Sequence, residues 1–365
     1  MSTKTCRFPA SLVLIVAMAS APIAAQDAKG TNDDLVPHCV LGLVHAPQVH
    51  EELKLSGEQV AKLEVLFREI DAQWFAARIL PEDQQRAVIR KQEARLAEWF
   101  SENATADQRK RLQQLEYYGQ SSRMLLRSDV ARQLGLQPAQ QQKLAVLARA
   151  ADEAKNALDH LQFGDPQTKT LQAAFNKATR AERDGVTKIV RPEQRQKLQT
   201  LLGDPFDASQ LKRVYPMAPE FVAVKDWINS SPLTLQELRG KVVLVHFYAF
   251  QCHNCHANFG IYRRWHDELT AKGVVVVGIQ TPETKSERDP DAVKAAAAER
   301  DLKFPVMVDL ESKNWNAWGN TMWPTVYVVD KQGYLRHWWQ GELNWKGATA
   351  DKTIEDLVET LLAEK

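Results

Sequence analysis

The chain has 365 residues, with 47 Lys and Arg against 46 Asp and Glu and a formal net charge of +1 at pH 7. That balance supplies no basic surplus for nucleic acid or for an anionic membrane surface. Four cysteines in this length exclude a small disulfide-stapled scaffold, and the length exceeds what one core serves, so two domains are expected.

The N-terminus reads as an export signal. Lys4 and Arg7 precede an apolar run from Ser11 to about Ala19, and Ala21, Ala24 and Ala25 offer a cleavage site before Gln26. The run is shorter than the ~20 residues a bilayer span needs, and no later stretch is long enough to be a transmembrane segment. Residues 1–25 are therefore expected to be a signal peptide, with a periplasmic or otherwise extracytoplasmic location. Cys6 leaves with the signal, so Cys39, Cys252 and Cys255 remain.

Residues 26–205 are expected to form a helical domain. A phrase of the form Gln-x-x-basic-Leu-x-x-Leu begins at Gln59, Gln108, Gln140 and Gln194. Its Leu pair marks one helical face. Ser56 and Thr105 stand as N-caps, with Gln59 and Gln108 three residues on as capping-box partners. Pro138 and Pro192 occupy first helical positions. Gln59 and Gln140 are 81 residues apart and Gln108 and Gln194 are 86 apart, which predicts a duplicated helical hairpin of roughly 80 residues per copy. His38 and Cys39 are adjacent but lack partners at metal-ligand spacing. The segments Leu55-Ser-Gly-Glu-Gln59, Ala104-Thr-Ala-Asp-Gln108, Leu136-Gln-Pro-Ala-Gln140 and Val190-Arg-Pro-Glu-Gln194 resemble the Leu-Thr-x-x-Gln motif of Spy/CpxP-like periplasmic helical proteins. That resemblance implies a link to chaperoning and envelope stress.

Proline and glycine punctuate the chain around Gly203-Asp-Pro-Phe and Tyr215-Pro-Met-Ala-Pro219, and residues 206–220 are expected to be a linker. Strand and helix signals alternate after it. Lys241–Phe250 has the near-continuous apolar run of a central parallel strand. A helix from about Cys255 to Ala271 follows, then a strand over Val274–Ile279 and a helix over Asp291–Arg300. A short strand is expected at Phe304–Val308. Val326–Asp330 and Leu335–Trp339 flank Lys331-Gln-Gly333 as a hairpin, and Lys352–Ala363 closes as a helix. The expected fold is therefore α + α/β: an all-helical duplicated hairpin domain, then a β-α-β-α-β-β-α domain over residues 221–365.

Cys252-His253-Asn254-Cys255-His256 carries the chemistry. As Cys-x-x-Cys it is a dithiol; as Cys-x-x-Cys-His it attaches a c-type haem, with His256 as axial ligand. The order strand, motif, helix places Cys252 at a helix start, where unpaired N–H groups and the dipole favour a thiolate. Cys255 is then close enough to resolve a mixed disulfide. A protonated His253 between them would stabilise the thiolate further. A haem there would spoil the helix start, so the dithiol reading is preferred. Cys252, Cys255 and His256 lack a fourth partner for a metal, so neither metal nor cofactor is expected.

Gly240-Lys-Val-Val-Leu-Val-His-Phe-Tyr-Ala-Phe-Gln-Cys-His-Asn-Cys255 resembles the active-site strand of the thioredoxin-like superfamily, in its TlpA-type and DipZ-type exported members. Trp315-Asn-Ala-Trp-Gly-Asn-Thr-Met-Trp-Pro-Thr-Val-Tyr-Val-Val-Asp-Lys-Gln-Gly333 resembles the Trp-Pro stretch of the DipZ C-terminal domain. The resemblance covers roughly Met217 to Lys365. It implies that Pro324 is a cis proline facing the dithiol, and that Trp323, Pro324 and Thr325 position the substrate. Trp315, Trp318, Trp338, Trp339 and Trp345 are expected in core and rim packing. Two positions depart from the family: His246 replaces a buried proton-accepting Asp, and His-Asn replaces Gly-Pro between the cysteines. His246 is read as a proton exchanger or a hydrogen-bonded core residue, and the redox direction stays open. The expected function is exported thiol–disulfide exchange with protein substrates, served by a membrane electron donor or re-oxidant. Rival readings are a peroxidase of the AhpC/TSA type and a non-enzymatic chaperone or scaffold. Against the peroxidase, Val245 and Ala249 stand where that family carries Pro and Thr.

Overall fold

The computed structural model describes residues 32–161, 165–211 and 215–364. The expected signal peptide and Cys6 lie outside them. No helix among the described residues is long and apolar enough to cross a membrane. The described residues divide into two compact units, one of residues 32–61 and 81–211, the other of Lys62–Leu80 and residues 215–364.

The first unit is helical. It holds α1 (Val40–Val44), α2 (Pro47–Glu52), the first turn of α3 (Gly57–Ala76), α4 (Glu82–Asn103), α5 (Ala106–Gln120), α6 (Ser128–Leu134), α7 (Pro138–Asp159), α8 (Thr168–Ile189) and α9 (Pro192–Leu202). The repeated glutamine does more than cap its own helix. At each of the four sites its Oε1 accepts the N–H three residues earlier, from Ser56, Thr105, Gln137 and Arg191, at 2.8–3.0 Å. Its Nε2 then reaches another helix end. Gln59 donates to the Asn103 carbonyl at 2.7 Å and Gln108 to Lys54 at 3.1 Å. Gln140 donates to Ile189 at 2.6 Å and Gln194 to Gly135 at 2.9 Å. The amides also bond each other, Gln59 with Gln108 at 3.0 Å and Gln140 with Gln194 at 2.9 Å. Helix ends leave backbone groups without intrahelical partners, and one amide here satisfies a donor on its own helix and an acceptor on another. The lock occurs twice, and each lock joins the starts of two helices.

The second unit is a mixed six-stranded sheet between helices and loops. It contains β1 (Trp227–Ile228), β2 (Val242–Tyr248), α10 (His253–Leu269), β3 (Val274–Gln280), α11 (Pro290–Glu299), β4 (Val306–Val308), α12 (Lys313–Ala317), β5 (Thr325–Val329), β6 (Leu335–Gln340) and α13 (Ala350–Ala363). The strand order is β1-β4-β3-β2-β5-β6. β2, β3 and β4 run parallel, and β5 and β6 return antiparallel on the other side of β2. Two elements lie outside the sequence expectation. β1 is too short for a periodic signal. α12 starts because the buried Asp309 carboxylate accepts the N–H groups of Lys313, Asn314 and Trp315 at 2.9–3.1 Å.

Every residue of β2 is buried. Alternate side chains enter opposite cores. Val242, Leu244 and Tyr248 pack in one cluster with Cys255, Phe259, Tyr262 and Trp265. Val243, Val245 and Phe247 pack in the other with Phe221, Trp318, Tyr327 and Phe75. The last of these comes from α3, inside the expected helical domain. Asp71 on the same helix accepts the Met217 N–H at 2.7 Å. Residues 216–218 fall within the expected linker but also belong here: Ala218 N–H donates to the Gly333 carbonyl and Leu335 N–H to the Pro216 carbonyl, each at 2.9 Å. Apolar surface on the second face of the sheet must be covered, and segments far apart in sequence cover it.

Gln194→Ala removes one of the two interlocked amides of the second pair and should cost about 1–3 kcal/mol in urea unfolding. Lys197→Ala, exposed on the same helix, should change stability by less than about 0.5 kcal/mol. Equal effects of the two would show that the amide lock contributes nothing.

Candidate active site

β2 delivers the chain into a turn at Ala249–Gln251, and α10 begins directly after it. Cys252 is the N-cap of α10, with φ −68° and ψ 114°. Its N–H donates to the Ala249 carbonyl at 3.2 Å, and its carbonyl accepts the Cys255 N–H at 3.1 Å. Cys252 is 9% exposed and Cys255 0%. Neither is in a disulfide in this structure.

The two thiols differ sharply. A hydrogen bond from the Cys255 side chain holds the Cys252 pKa below the ordinary thiol value, against the opposing effect of burial; backbone N–H groups of Cys255 and Asn254 add to the lowering, and the Glu283 charge opposes it. Burial pushes Cys255 far up, and its hydrogen bond to Cys252 and the Cys252 charge push in the same direction. The Cys252 thiol therefore gives up its proton more readily than the Cys255 thiol.

Two polar side chains that sequence reasoning missed frame this helix start. The buried Glu287 carboxylate accepts the Gln251 N–H at 2.7 Å and the N–H groups of Glu283 and Thr284 at 2.8 Å. It ties the residue before Cys252 to the loop after β3, and nothing in its local sequence signals that. Asn258 is buried three residues after Cys255. Its Nδ2 donates to Tyr262 Oη at 3.1 Å and the Gly341 carbonyl at 3.2 Å, and its Oδ1 accepts the Leu343 N–H at 3.0 Å. A signal existed here: Asn258 is polar on the stripe of Cys255, Phe259 and Tyr262.

The histidines separate. His253 is exposed in the first turn of α10. His256 is exposed, with Nε2 2.8 Å from the Phe250 carbonyl oxygen. His246 is fully buried on β2, and neither ring nitrogen has a hydrogen-bond partner among the described residues. Its ring stacks on Tyr262 with centroids 3.9 Å apart and meets the Phe304 edge at 5.0 Å. Gly278, opposite it on β3, leaves the space: a Cβ there would stand 3.1 Å from His246 Nε2 and 3.0 Å from Phe304. Of the two readings of His246, hydrogen bonding in the core is not what the structure shows. Burial lowers its pKa to about 3, so the ring is neutral near pH 7.

The Trp323–Pro324 peptide is cis. Trp323 is half-buried against the apolar cluster that contains both cysteines, and its ring stacks on Trp315 at 4.0 Å. Thr325 is buried and donates through Oγ1 to the Met322 carbonyl at 2.8 Å. Met322 is 37% exposed beside it. Cys39 lies in the helical unit, buried, with Sγ donating to the Glu116 carbonyl at 3.6 Å and its pKa raised by burial. Among the described residues no three His, Cys, Asp or Glu side chains are grouped to hold a metal ion.

Comparison with known proteins bears on residues 214–338, which match the AhpC/TSA family model. Protein DipZ of Mycobacterium bovis is 34% identical over 123 residues, which is 33% of this chain and 18% of that protein. The thiol-disulfide oxidoreductase YkuV of Bacillus subtilis is 31% identical over 154 residues, 42% of this chain and 99% of that protein. A thioredoxin-like protein solved in solution in its oxidized form is 31% identical, with 41% of this chain and 97% of that chain covered and a TM-score of 0.37.

His246 sets an acid limit on this core. Unfolding restores its pKa from about 3 to about 6.5. Below pH 6.5 the unfolded chain binds a proton that the folded chain refuses, so this stability is complete above pH 6.5 and declines as pH falls toward 3, by at most ~1.4 kcal/mol per pH unit. Urea unfolding of reduced protein at pH 6.5, 5.5 and 4.5 should show that slope, and His246→Phe should lack it. Parallel slopes in the two proteins would contradict a neutral buried ring.

Proposed function

We propose that the chain, which belongs to the thioredoxin-like family of thiol–disulfide oxidoreductases, uses Cys252 and Cys255 to exchange disulfides with protein substrates. The observation that carries this reading is the asymmetry of the two thiols at the start of α10. The Cys252 thiolate attacks one sulfur of a substrate disulfide. The substrate S–S bond breaks, a mixed disulfide forms, and the departing sulfur takes up a proton. Cys252 has then lost its negative charge, which removes one of the causes holding Cys255 protonated. Cys255 gives up its proton and attacks Cys252 Sγ. The Cys252–Cys255 disulfide forms and the substrate leaves as a dithiol, two electrons richer. The same steps in reverse oxidise a substrate dithiol.

Trp323, Pro324 and Thr325 form the substrate ledge. An extended segment laid along this turn would pair with backbone by strand addition, with the half-buried Trp323 ring and exposed Met322 offering apolar contact. His253, exposed one residue after Cys252, raises the oxidising power of the pair when protonated. The N-terminal charge and apolar pattern, with the similarity to DipZ, supports export to the periplasm and service by a membrane electron donor or re-oxidant. The helical unit of residues 32–61 and 81–211, within the helical domain expected over residues 26–205, recruits clients.

The AhpC/TSA match favours a second reading, reduction of peroxide. Ala249 is buried with only a methyl group where peroxide chemistry calls for a threonine hydroxyl, so exchange is preferred. Covalent haem is disfavoured because Cys255 has no exposed surface to form a thioether.

Cys252→Ser should abolish reduction of insulin disulfides. Cys255→Ser should instead accumulate a mixed disulfide with insulin, visible by mass and released by dithiothreitol. Trapping by Cys252→Ser and not by Cys255→Ser would reverse the roles, and rapid consumption of hydrogen peroxide that needs Cys252 alone would restore the peroxidase.

A further inference from the structure

We infer that Arg78 is a positioning residue for the substrate ledge, which makes the segment Lys62–Leu80 a working part of the oxidoreductase unit; this rests on the ledge proposed above. Arg78 lies outside residues 214–338, which match the family model, and in the same compact unit as them. It follows α3 in a short turn of 3-10 helix, Ala77–Ile79. Its guanidinium enters the loop ahead of Trp323. Nη2 donates to the Trp318 carbonyl at 3.0 Å, the Gly319 carbonyl at 2.9 Å and Tyr327 Oη at 3.1 Å. Nη1 donates back to the Phe75 carbonyl at 2.9 Å, and the guanidinium lies 3.6 Å over the Phe75 ring.

The bonds span the loop. The Trp318 and Gly319 carbonyls lie at the C-terminal end of α12, where acceptors lack intrahelical partners and a cation is favoured. Tyr327 is on β5, past Pro324, and its hydroxyl donates to Asn320 Oδ1 at 2.8 Å. Arg78 therefore joins the chain before Trp323 to the strand after Pro324. α12 also carries Trp315, which stacks on Trp323. Trp318, Asn320 and Tyr327 are buried, so water does not readily replace the donors. The approach is close: Gly319 has φ +59°, and a Cβ there would stand 3.1 Å from Arg78 Nη1. The two arms of the planar fork point to different partners, Nη2 to the loop acceptors and Nη1 to the Phe75 carbonyl, and the single nitrogen of a lysine ammonium cannot hold both ends of that span. Arg78 does not touch either sulfur, so its effect should fall on how a polypeptide docks and not on the thiols.

The full-length protein, Arg78→Met, Arg78→Lys and Tyr327→Phe are compared on insulin and on the small disulfide dithiobis-nitrobenzoate. Arg78→Met should lower kcat/KM for insulin about ten- to a hundredfold, mainly through KM. The rate with the small disulfide and the pH midpoint of Cys252 alkylation should stay unchanged. Arg78→Lys should fall between. Tyr327→Phe keeps the carbonyl bonds and should show the same split to a smaller degree, which preserves the test if Arg78→Met fails to fold. Parallel losses on both disulfides, or no loss on insulin in any variant, overturn the inference. A wild type that reacts with the small disulfide and never with insulin overturns the ledge itself, and the role of Arg78 with it.

Discussion

The start of α10 is the constraint on which the rest depends. A thiol at a helix N-cap meets backbone N–H groups that lack intrahelical partners, and here a second thiol one turn later donates to it as well. That geometry exists only because β2 is buried on both faces and enters α10 through a three-residue turn. Glu287 fixes Gln251 from the β3 side, and Asn258 fixes the next turn of the helix to the chain after β6. The apolar surroundings that raise Cys255 are the same ones that hold α10 against the sheet. Electrostatic contrast between the two sulfurs is thus a consequence of packing.

The second face of the sheet shows what this arrangement requires. The parallel centre of this mixed sheet, β2 with β3 and β4, cannot leave either face in water. One face is covered by α10 and α13. The other is covered by α12, by the segment after residue 215, and by Phe75 on α3, with Asp71 binding the Met217 backbone and Arg78 binding the loop before Trp323. The redox unit is assembled from two stretches of chain, and the shorter one contributes apolar cover, a buried carboxylate and a guanidinium. Removing everything before the expected linker would uncover that face.

Much of the site was legible in sequence because its signals are local. The Val242–Val245 run marks a buried strand, and Cys-x-x-Cys directly after it places Cys252 at the helix start. The Trp323-Pro324 pair was readable through family resemblance. Ser56 and Thr105 read correctly as caps, yet the cross-bonding of Gln59 with Gln108 did not, because a cap pattern does not name the helix it faces. Phe75, Asp71 and Arg78 look like ordinary residues of a polar helix; their partners stand more than a hundred residues away, beyond any periodicity. His246 was legible as a position and not as a state. Its neutrality depends on the rings of Tyr262 and Phe304 and on the missing side chain of Gly278.

The most direct measurement is the pH dependence of iodoacetamide alkylation in the reduced protein, followed by peptide mass for each cysteine. Cys252 should react with a midpoint below the ~8.5 of a free thiol, while Cys255 stays unmodified across the same range until the protein is unfolded. Equal reactivity of the two cysteines, or a Cys252 midpoint at or above that of a free thiol, would contradict it.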